Sequence, residues 1–491
     1  MSFRRLVTAT AFLAVFTMAL RVSTDSDTWW HLRAGAWMIE HRQILSFDPF
    51  SLTRMGSPWI YPGWLAQIVM AGLYRWLGFA GLNLLTASMV TLAFVFLGRT
   101  LEGPDLWRAA VLLLAAVTSA VYWSARPQIL SFALTGGFIW ILERWRQGDR
   151  NGCWALPPTM ALWVNLHGGF AIGFLLIGLY GLGEGIEYLL PVVLGTARVG
   201  ERWRACRQQM LTLTGTAAVT VAAVGLNPHG PVMLLYPFKT VSIGVLRDYI
   251  QEWQSPNFHN LEVQPFLWLL FLTALALALS PRRPHPTELL SVFAFAYLGF
   301  LAGRNIALFA LVAAPVLARH GYPALTPLLT RFGPGRPVPA RLARSVNSAL
   351  FALLVLAAAL KAVVPLSNAE NEAILSQRLP SAAVRWIETI RPPGPLFNSY
   401  NWGGYVVWSL YPDYPSFVDG RTDLFNQELL TDYLTAWRAA PGWEAVLDRW
   451  GIRLALLEVD APLVITLQAS GWEPAYQDDQ AVVLVRSSVD E

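Results

Sequence analysis

Two carboxylates stand two residues apart near the start of the chain, in Asp25-Ser26-Asp27, and Asp48 follows in the same polar segment. Such carboxylates can hold a hard divalent cation such as Mg²⁺ or Mn²⁺, or one can act as a general base while another tunes its pKa. The spacing also suits a structural role, because Asp25 or Asp27 could cap a helix that starts at Trp29. Spacing alone favours capping, and the metal alternative stays open.

Arginines stand beside apolar runs later in the chain, at Arg126 and at Arg304, which Asn305 follows. A guanidinium offers a planar fork of donors that suits phosphate oxygens, so both arginines are candidate ligands of a phosphate. The alternative is an arginine whose head group only extends to the membrane interface. The sequence weighs the two roles about equally.

Two histidines are further candidates. His167 lies between a short apolar segment and Gly168-Gly169, so it could donate to a phosphate, complete a metal site or stabilise a helix break. His31 lies four residues after Asp27, one helical turn along, which permits an Asp–His contact.

The composition indicates which elements must position these residues. Of 491 residues, 55% are hydrophobic and only 14% are charged, whereas a soluble domain carries about a quarter charged residues. The formal charge of +4 does not indicate a nucleic-acid partner, because the arginines form short clusters between apolar runs, a topology signal. The sequence therefore predicts a multi-pass membrane protein whose first helix is not cleaved as a signal peptide.

We predict about eleven spanning helices. The run from Trp64 to Gly78 is short and contains Arg75, so it is interpreted as a re-entrant or interfacial helix. The predicted spans are 6–23, 80–98, 109–125, 128–142, 154–166, 169–190, 209–226, 263–280, 288–303, 305–318 and 346–365.

Positive charge in short loops stays on the cytoplasmic side, and this rule orients the helices. If 64–78 does not span, every arginine cluster lies inside, whereas a span there would place all but the first outside. Cys153 and Cys206 then lie in cytoplasmic loops, where thiols stay reduced. The clusters are Arg4/Arg5, Arg99/Arg108, Arg144/Arg146/Arg150, Arg198/Arg202/Arg204/Arg207, Arg282/Arg283 and Arg319/Arg331/Arg336/Arg341/Arg344.

The same orientation places the candidate polar residues together at the outer face of the membrane. We predict that this membrane is the cell membrane, the inner membrane where there are two, with the N-terminus in the cytoplasm and the C-terminus outside it. Ionisable residues beside interrupted helices are costly unless they line a wet cavity. We predict two domains: 1–366, a helical membrane domain with an outer loop over 24–79, and 367–491, a small extracytoplasmic α/β domain.

Several stretches resemble bacterial membrane glycosyltransferases of the GT-C type, a mostly uncharacterised branch that is distantly similar to protein O-mannosyltransferases, aminoarabinose transferases and oligosaccharyltransferases. The similarity covers nearly the whole chain. The stretches are 25–35, 47–51, Pro58-Trp59, Trp64-Leu65, 126–128, 165–169, 226–230, Glu252-Trp253, Arg304-Asn305, 402–405 and 419–423.

The resemblance implies transfer of a sugar from a polyprenyl-phosphate carrier to an acceptor at the outer membrane face, normally with inversion. It also implies an essential acidic residue in the first outer loop, which corresponds to Asp27 or Asp25, with Asp48 as the next candidate. Arg126, His167, Arg304, Asn305, His31 and Arg421 are the candidate substrate-binding residues. The acceptor could be a glycan, a lipid or a protein.

Two other functions stay open. A transporter or flippase for a lipid-linked saccharide would use the same cationic cavity, although no internal repeat is visible. A catalytically silent scaffold subunit would keep the fold without needing the carboxylates. In the C-terminal domain, Gly403-Gly404 indicates a place where the backbone approaches another group closely. The segment 419–421 indicates a turn whose Arg421 faces the membrane domain. Both features suit either structural turns or a lid over an acceptor.

Overall fold

The structure is a computed structural model, and it describes residues 1–195, 199–241, 251–329 and 339–487. Over 199–206, and at 240, 241, 251 and 329, it describes the backbone alone. Of the arginine clusters and cysteines named above, Arg198, Arg331 and Arg336 and the side chains of Arg202, Arg204 and Cys206 lie outside the described residues. The chain divides into two compact units: unit 1 comprises 1–21, 83–237 and 249–363, and unit 2 comprises 22–82, 238–248 and 364–491.

Unit 1 is built of helices, and each of the predicted apolar runs coincides with one. Among the described residues, six helical stretches are long and apolar enough to cross a membrane, namely Phe79–Gly98, Asp105–Tyr122, Gly168–Val193, Arg207–Leu226, Gly303–Leu328 and Ala340–Leu366. The helices are Phe3–Ala19, Phe79–Gly98, Asp105–Ser119, Gln128–Arg146, Leu156–Leu166, Ala171–Val193, Val199–Ala223, Gln264–Leu279, Pro286–Leu301, Ile306–Leu329 and Ala340–Leu366. The short helix Tyr236–Val241 begins in unit 1 and ends in unit 2. The helical membrane class is therefore confirmed, while the count of about eleven spans stays a prediction.

Two of these helices show how burial divides the apolar surface. From Ile306 to Ala318 the helix Ile306–Leu329 is apolar on all sides and buried, as expected of a central helix. Ala340–Leu366 is equally apolar but exposed, with Leu353 and Leu360 63% and 66% accessible. A continuous apolar surface of this kind suits contact with lipid.

Unit 1 also contains a buried charge network that the sequence analysis did not predict. Arg319 donates to Glu102 and Glu143, at 2.7 and 2.9 Å, and also to Glu288. The carboxylate of Glu288 also accepts a contact from His320 Nε2 at 3.0 Å. Buried charges within an apolar helix bundle must be paired, so this network fixes how the helices that carry it pack.

Unit 2 contains a four-stranded sheet with short helices, so the predicted C-terminal segment does contain a small sheet. The strands are β1 (Leu396–Asn398), β2 (Leu454–Glu458), β3 (Trp472–Gln477) and β4 (Ala481–Arg486), in the order β1-β2-β4-β3. β1 and β2 are parallel, and the other two pairs are antiparallel. The helices are Asp27–His41, Trp64–Leu77, Asn368–Leu375, Ser381–Ile390, Gly403–Ser409, Gln427–Trp437, Trp443–Arg449 and Pro462–Ala469.

The first outer loop belongs to the same compact unit as the C-terminal domain, a grouping that differs from the predicted division at residue 366. Its two helices, Asp27–His41 and Trp64–Leu77, pack closely because Gly35 has no side chain to meet the carbonyl of Gln67. Outside the sheet, Ser416 forms an isolated bridge with Ser51 of that loop. Hydrogen bonds between Ser416 and Phe50 and Leu52 complete the junction.

Candidate functional site

In unit 1, helix breaks present the predicted polar residues. The helix Leu156–Leu166 ends at His167, whose backbone is extended, and a short 3-10 turn then leads into the next helix. The same sequence of events occurs at Ala302, where Gly303–Asn305 forms the turn that carries Arg304. Gly303 N–H also donates to the carbonyl of Gln254 at 3.0 Å, which joins this turn to the segment that carries Glu252.

Arg126 and Arg304 converge on one carboxylate, that of Glu252. Arg126 Nη2 donates to Glu252 Oε2 at 2.6 Å, and Arg304 Nη1 lies 3.5 Å from Oε1. The guanidinium of Arg304 also lies 4.4 Å from the ring centroid of Trp253. The three side chains are 13%, 22% and 31% accessible for Arg126, Arg304 and Glu252, so the cluster is largely enclosed.

The carboxylate of Glu252 stays ionised. Burial by itself raises the pKa of Glu252, but the positive charges of Arg126 and Arg304 outweigh burial and hold this pKa at about 2. Glu252 therefore demonstrates that an anion is stable between these two guanidinium groups.

His167 is a neutral imidazole with a defined tautomer. Its Nδ1 accepts the backbone N–H of Gly169 at 3.0 Å and lies 2.8 Å from Ser131 Oγ, which in turn accepts from Trp163 Nε1. Because Nδ1 is an acceptor, the ring proton is on Nε2. Burial, followed by the charges of Arg304 and Arg126, lowers the pKa of His167 to about 3. His167 therefore offers a neutral N–H donor.

Asn305, the fourth predicted residue of this group, caps the preceding helix. Its Nδ2 donates to the carbonyl of Leu298 at 3.0 Å. This contact favours a structural role for Asn305 over substrate binding.

In unit 2, Asp25 and Asp27 stand at the start of the helix Asp27–His41. Asp25 Oδ1 accepts the backbone N–H of Asp27 at 3.0 Å, a turn-forming contact. It differs from the predicted helix cap by Asp25 or Asp27, because the N-cap residue is Ser26 and no side chain caps the helix. Asp27 is the first residue of the helix and remains partly exposed.

Two glycines of the C-terminal segment lie directly against this helix start. A side chain at Gly420 would overlap Asp27 Oδ1, and one at Gly404 would lie 2.6 Å from the carbonyl oxygen of Ser26. Gly403 similarly packs against the backbone of Val418. The close backbone approach predicted for Gly403-Gly404 is thus confirmed: Gly404 approaches the predicted outer loop at Ser26, and Gly403 approaches Val418 within the C-terminal segment.

Asp48 and Arg421 form a fully buried charge triad with Asp419. Arg421 Nη1 donates to Asp48 Oδ1 at 2.5 Å, while Nε and Nη2 donate to the two oxygens of Asp419 at 2.8 and 2.7 Å. Asp48 also accepts the backbone N–H groups of Phe50 and Ser51. All three side chains of the triad are 0% accessible.

This triad corrects the prediction for Arg421. A substrate-binding arginine must present its donors to a ligand, whereas the carboxylates of Asp48 and Asp419 enclose this guanidinium. Burial by itself lowers the pKa of Arg421, but the two carboxylates outweigh burial and raise this pKa above its usual value. The same geometry favours a structural role for Asp48. The sequence could not reveal the pairing, because Asp48 and Arg421 are 373 positions apart.

His31 is buried as well. It is 3% accessible, stacks on Trp30 with ring centroids 3.5 Å apart, and its Nδ1 lies 3.2 Å from Gln67 Nε2. These contacts favour a packing role over substrate binding.

A protein-built metal site does not form among the described residues, since no three His, Cys, Asp or Glu side chains gather in a way that could hold an ion. Asp25 and Asp27 alone are fewer ligands than Mg²⁺ or Ca²⁺ usually receives.

Glu252 is the residue whose role the sequence analysis missed. The Glu252-Trp253 pair belongs to the resembling stretches, which was the available signal, but nothing local indicated that it would lie beside Arg126, 126 positions earlier.

The chain was compared with protein-family models, curated proteins and solved structures. No family model and no curated protein matches the chain. Among solved structures, the Archaeoglobus fulgidus oligosaccharyltransferase matches in its apo form with a TM-score of 0.53 at 14% identity, over 99% of this chain and 74% of that one. The form of that enzyme tethered to an acceptor peptide with an NVT sequon matches with a TM-score of 0.55 at 14% identity, over 98% of this chain and 74% of that one.

A mycobacterial arabinofuranosyltransferase, AftD, matches with a TM-score of 0.47 at 13% identity, over all of this chain but only 40% of its own. At 14% identity the two oligosaccharyltransferase comparisons show the fold alone. The chain shares the fold of that oligosaccharyltransferase, which is consistent with the predicted resemblance to GT-C-type membrane glycosyltransferases.

Proposed function

We propose that this protein is an inverting glycosyltransferase that moves a sugar from a polyprenyl-phosphate donor to an acceptor at the outer face of the cell membrane. The observation that carries the proposal is the convergence of Arg126 and Arg304 on one anion, on a fold used by membrane glycosyltransferases. In this function a phosphate oxygen of the donor lies where it can accept from the guanidinium groups and from His167 Nε2–H. Donors placed around the departing phosphate stabilise the charge that develops on it.

The role of the essential carboxylate is assigned to Asp27. Asp27 is partly exposed as a residue, whereas Asp48 is enclosed by Arg421 and Asp25 restrains the turn before the helix. Asp27 takes up the proton of the acceptor nucleophile or orients it, while Arg126 and Arg304 stabilise the leaving phosphate.

A first prediction tests the orientation of the chain. A periplasmic reporter fused after Glu491 should be active, and a cysteine introduced near Arg207 should react only with membrane-permeant reagents, because the arginine clusters hold their loops inside. Fusions after Gly148, beside Arg144 and Arg146, serve as the inside control. A reporter active after Gly148 and silent after Glu491 would contradict the orientation.

A second prediction concerns the donor phosphate. Arg126→Ala and Arg304→Ala should each weaken binding of a polyprenyl phosphate by about 10-fold or more, because hydrogen bonds to charged groups contribute roughly 1.5–3 kcal/mol. Binding by the parent should also weaken as salt increases. Binding is measured with purified full-length protein in detergent.

The matched control is Arg283→Ala, which removes an exposed arginine of the same unit that pairs with Glu187 at 3.3 Å. This variant should bind like the parent. Unchanged affinity in both Arg126→Ala and Arg304→Ala would assign these arginines to structural roles.

A further inference from the structure

A small, partly open crevice lies in unit 1 between the helices Phe3–Ala19 and Asp105–Ser119. Its volume is about 40 Å³, which is room for a group of a few heavy atoms. Phe12 and Leu112 contribute apolar walls, and Arg108 contributes a charged group. We call this site the Arg108 crevice, and its mixed lining suits part of an amphipathic ligand.

Two arginines share one carboxylate at the Arg108 crevice. Arg4 Nε lies 3.5 Å and Arg108 Nη1 lies 4.0 Å from Asp105 Oδ1, so both contacts are longer than a hydrogen bond. Arg108 Nη2 donates to the carbonyl of Gly98 at 2.7 Å, whereas its Nε is buried without a hydrogen-bond partner among the described residues. A buried donor without a partner costs free energy, which an acceptor on a ligand would offset.

Positive charge exceeds negative charge around the Arg108 crevice. Arg4 is 76% accessible on its side chain, and the adjacent Arg5 is exposed as well. Glu102, the other acidic residue of this part of the chain, is already paired with two arginines of other helices. Asp105 alone cannot balance three arginines, so the described side chains here keep an excess of positive charge.

The surface around the Arg108 crevice is apolar. Phe3, beside Arg4, is 55% accessible, and Leu106, beside Asp105, is 59% accessible. Exposed apolar side chains at the ends of membrane helices contact lipid, so the neighbouring molecules are lipids rather than soluble anions. Basic pockets between membrane helices are typical binding places of anionic lipid head groups.

We propose that the Arg108 crevice binds an anionic phospholipid of the surrounding membrane. The lipid phosphate accepts from Arg4 and Arg108, and the exposed Arg5 adds attraction for the head group. The beginning of an acyl chain lies against Phe12 and Leu112, and the rest of the chain stays in the bilayer. In the predicted orientation this is a lipid of the cytoplasmic leaflet. The lipid is held and not consumed, so the inference does not depend on the proposed function.

The test is photo-crosslinking on the purified full-length protein in a neutral detergent. The probe is a phosphatidylglycerol with a photoreactive group on one acyl chain, and the labelled peptides are identified by mass spectrometry. We expect labelling within 3–19 and 105–119. Unlabelled dioleoylphosphatidylglycerol should suppress it at a concentration about 10-fold or more below that of dioleoylphosphatidylcholine, which has the same chains but no net charge.

Charge-removing variants test the arginines. Arg4→Gln and Arg108→Gln should each raise the concentration of phosphatidylglycerol needed for half-maximal labelling about 5-fold, the usual contribution of one arginine near a membrane surface. Arg108→Lys keeps the charge and should recover most of the affinity. Arg283→Gln is the matched control, because it removes an arginine of the same unit that is 63% accessible, and its labelling should match the parent.

A variant that fills the crevice tests its shape without changing any charge. Thr8 lines the crevice and is exposed, so Thr8→Phe should fold normally and lower the labelling. Thr8→Val has nearly the size of threonine and should bind like the parent.

Three results would overturn the inference. Equal suppression by the two unlabelled phospholipids would assign the surface to unselective lipid contact. Parental labelling in both Arg4→Gln and Arg108→Gln would exclude the arginines from the site, and the high exposure of Arg4 keeps this readout valid if the Arg108 variant does not fold. Suppression by sn-glycerol 3-phosphate, which has no acyl chains, would assign the arginines to a soluble phosphate.

Discussion

Asp27→Asn is expected to lower the rate of sugar transfer by about 10²–10⁴-fold, the usual effect of removing a positioned general base. The amide keeps the size of the carboxylate and most of its hydrogen-bonding capacity, so folding and donor binding should survive. The measurement is release of polyprenyl phosphate from a lipid-linked sugar, in detergent or in vesicles, with and without chelator.

The same assay on Asp25→Asn and Asp48→Asn ranks the three carboxylates by their effect on the rate of sugar transfer. Asn accepts the backbone N–H of Asp27 nearly as well as Asp does, so Asp25→Asn should change stability modestly and leave turnover intact. Asp48→Asn should lower stability, because it disturbs the buried triad. If all three variants turn over like the parent, or the parent only moves lipid across the bilayer, the transporter or scaffold function is the better account.

Gly420→Ala provides a second approach to Asp27 that leaves every charge in place. The added methyl group would overlap the Asp27 carboxylate and displace it, so turnover should fall although Asp27 is intact. Gly72→Ala is the matched control, because a Cβ at Gly72 meets nothing within 4 Å.

Arg421→Ala should lower the free energy of unfolding by about 3–5 kcal/mol, the cost of leaving buried charges without their partner. Asp48 and Asp419 are both 0% accessible, and Arg421 donates three hydrogen bonds to them. Arg421→Lys should recover only part of the loss, since an ammonium cannot reproduce the bidentate contact to Asp419. Thermal unfolding and the yield of folded protein provide the readout.

Arg449→Ala is the control for this pair of variants. Arg449 also donates to a carboxylate, Asp432 at 2.7 Å, but its side chain is 58% accessible, so the loss should stay below about 1 kcal/mol. Equal stability of Arg421→Ala and Arg449→Ala would contradict the structural role. A variant of Arg421 that unfolds like the parent but binds substrate poorly would restore the original prediction of a binding residue.

The sequence by itself determined the elements of this protein. Apolar runs, counted along the chain, located the helices of unit 1, because burial or lipid contact of a helix depends on consecutive residues. The segment after residue 366 was predicted to contain strands, and β1, β2, β3 and β4 all lie in it. The breaks at His167 and before Arg304 were also visible, since glycine and polar residues interrupt the apolar pattern there.

Only the tertiary structure decided which charges meet. Glu143 pairs with Arg319 across 176 positions, Arg126 with Glu252 across 126, and Asp48 with Arg421 across 373. No local pattern specifies such partners, because the energy of a buried charge depends on the groups that enclose it after folding. For this reason Arg421 and Asp48 resembled site residues in the sequence and proved to be a buried pair, whereas Glu252 acquired its role from the two arginines beside it.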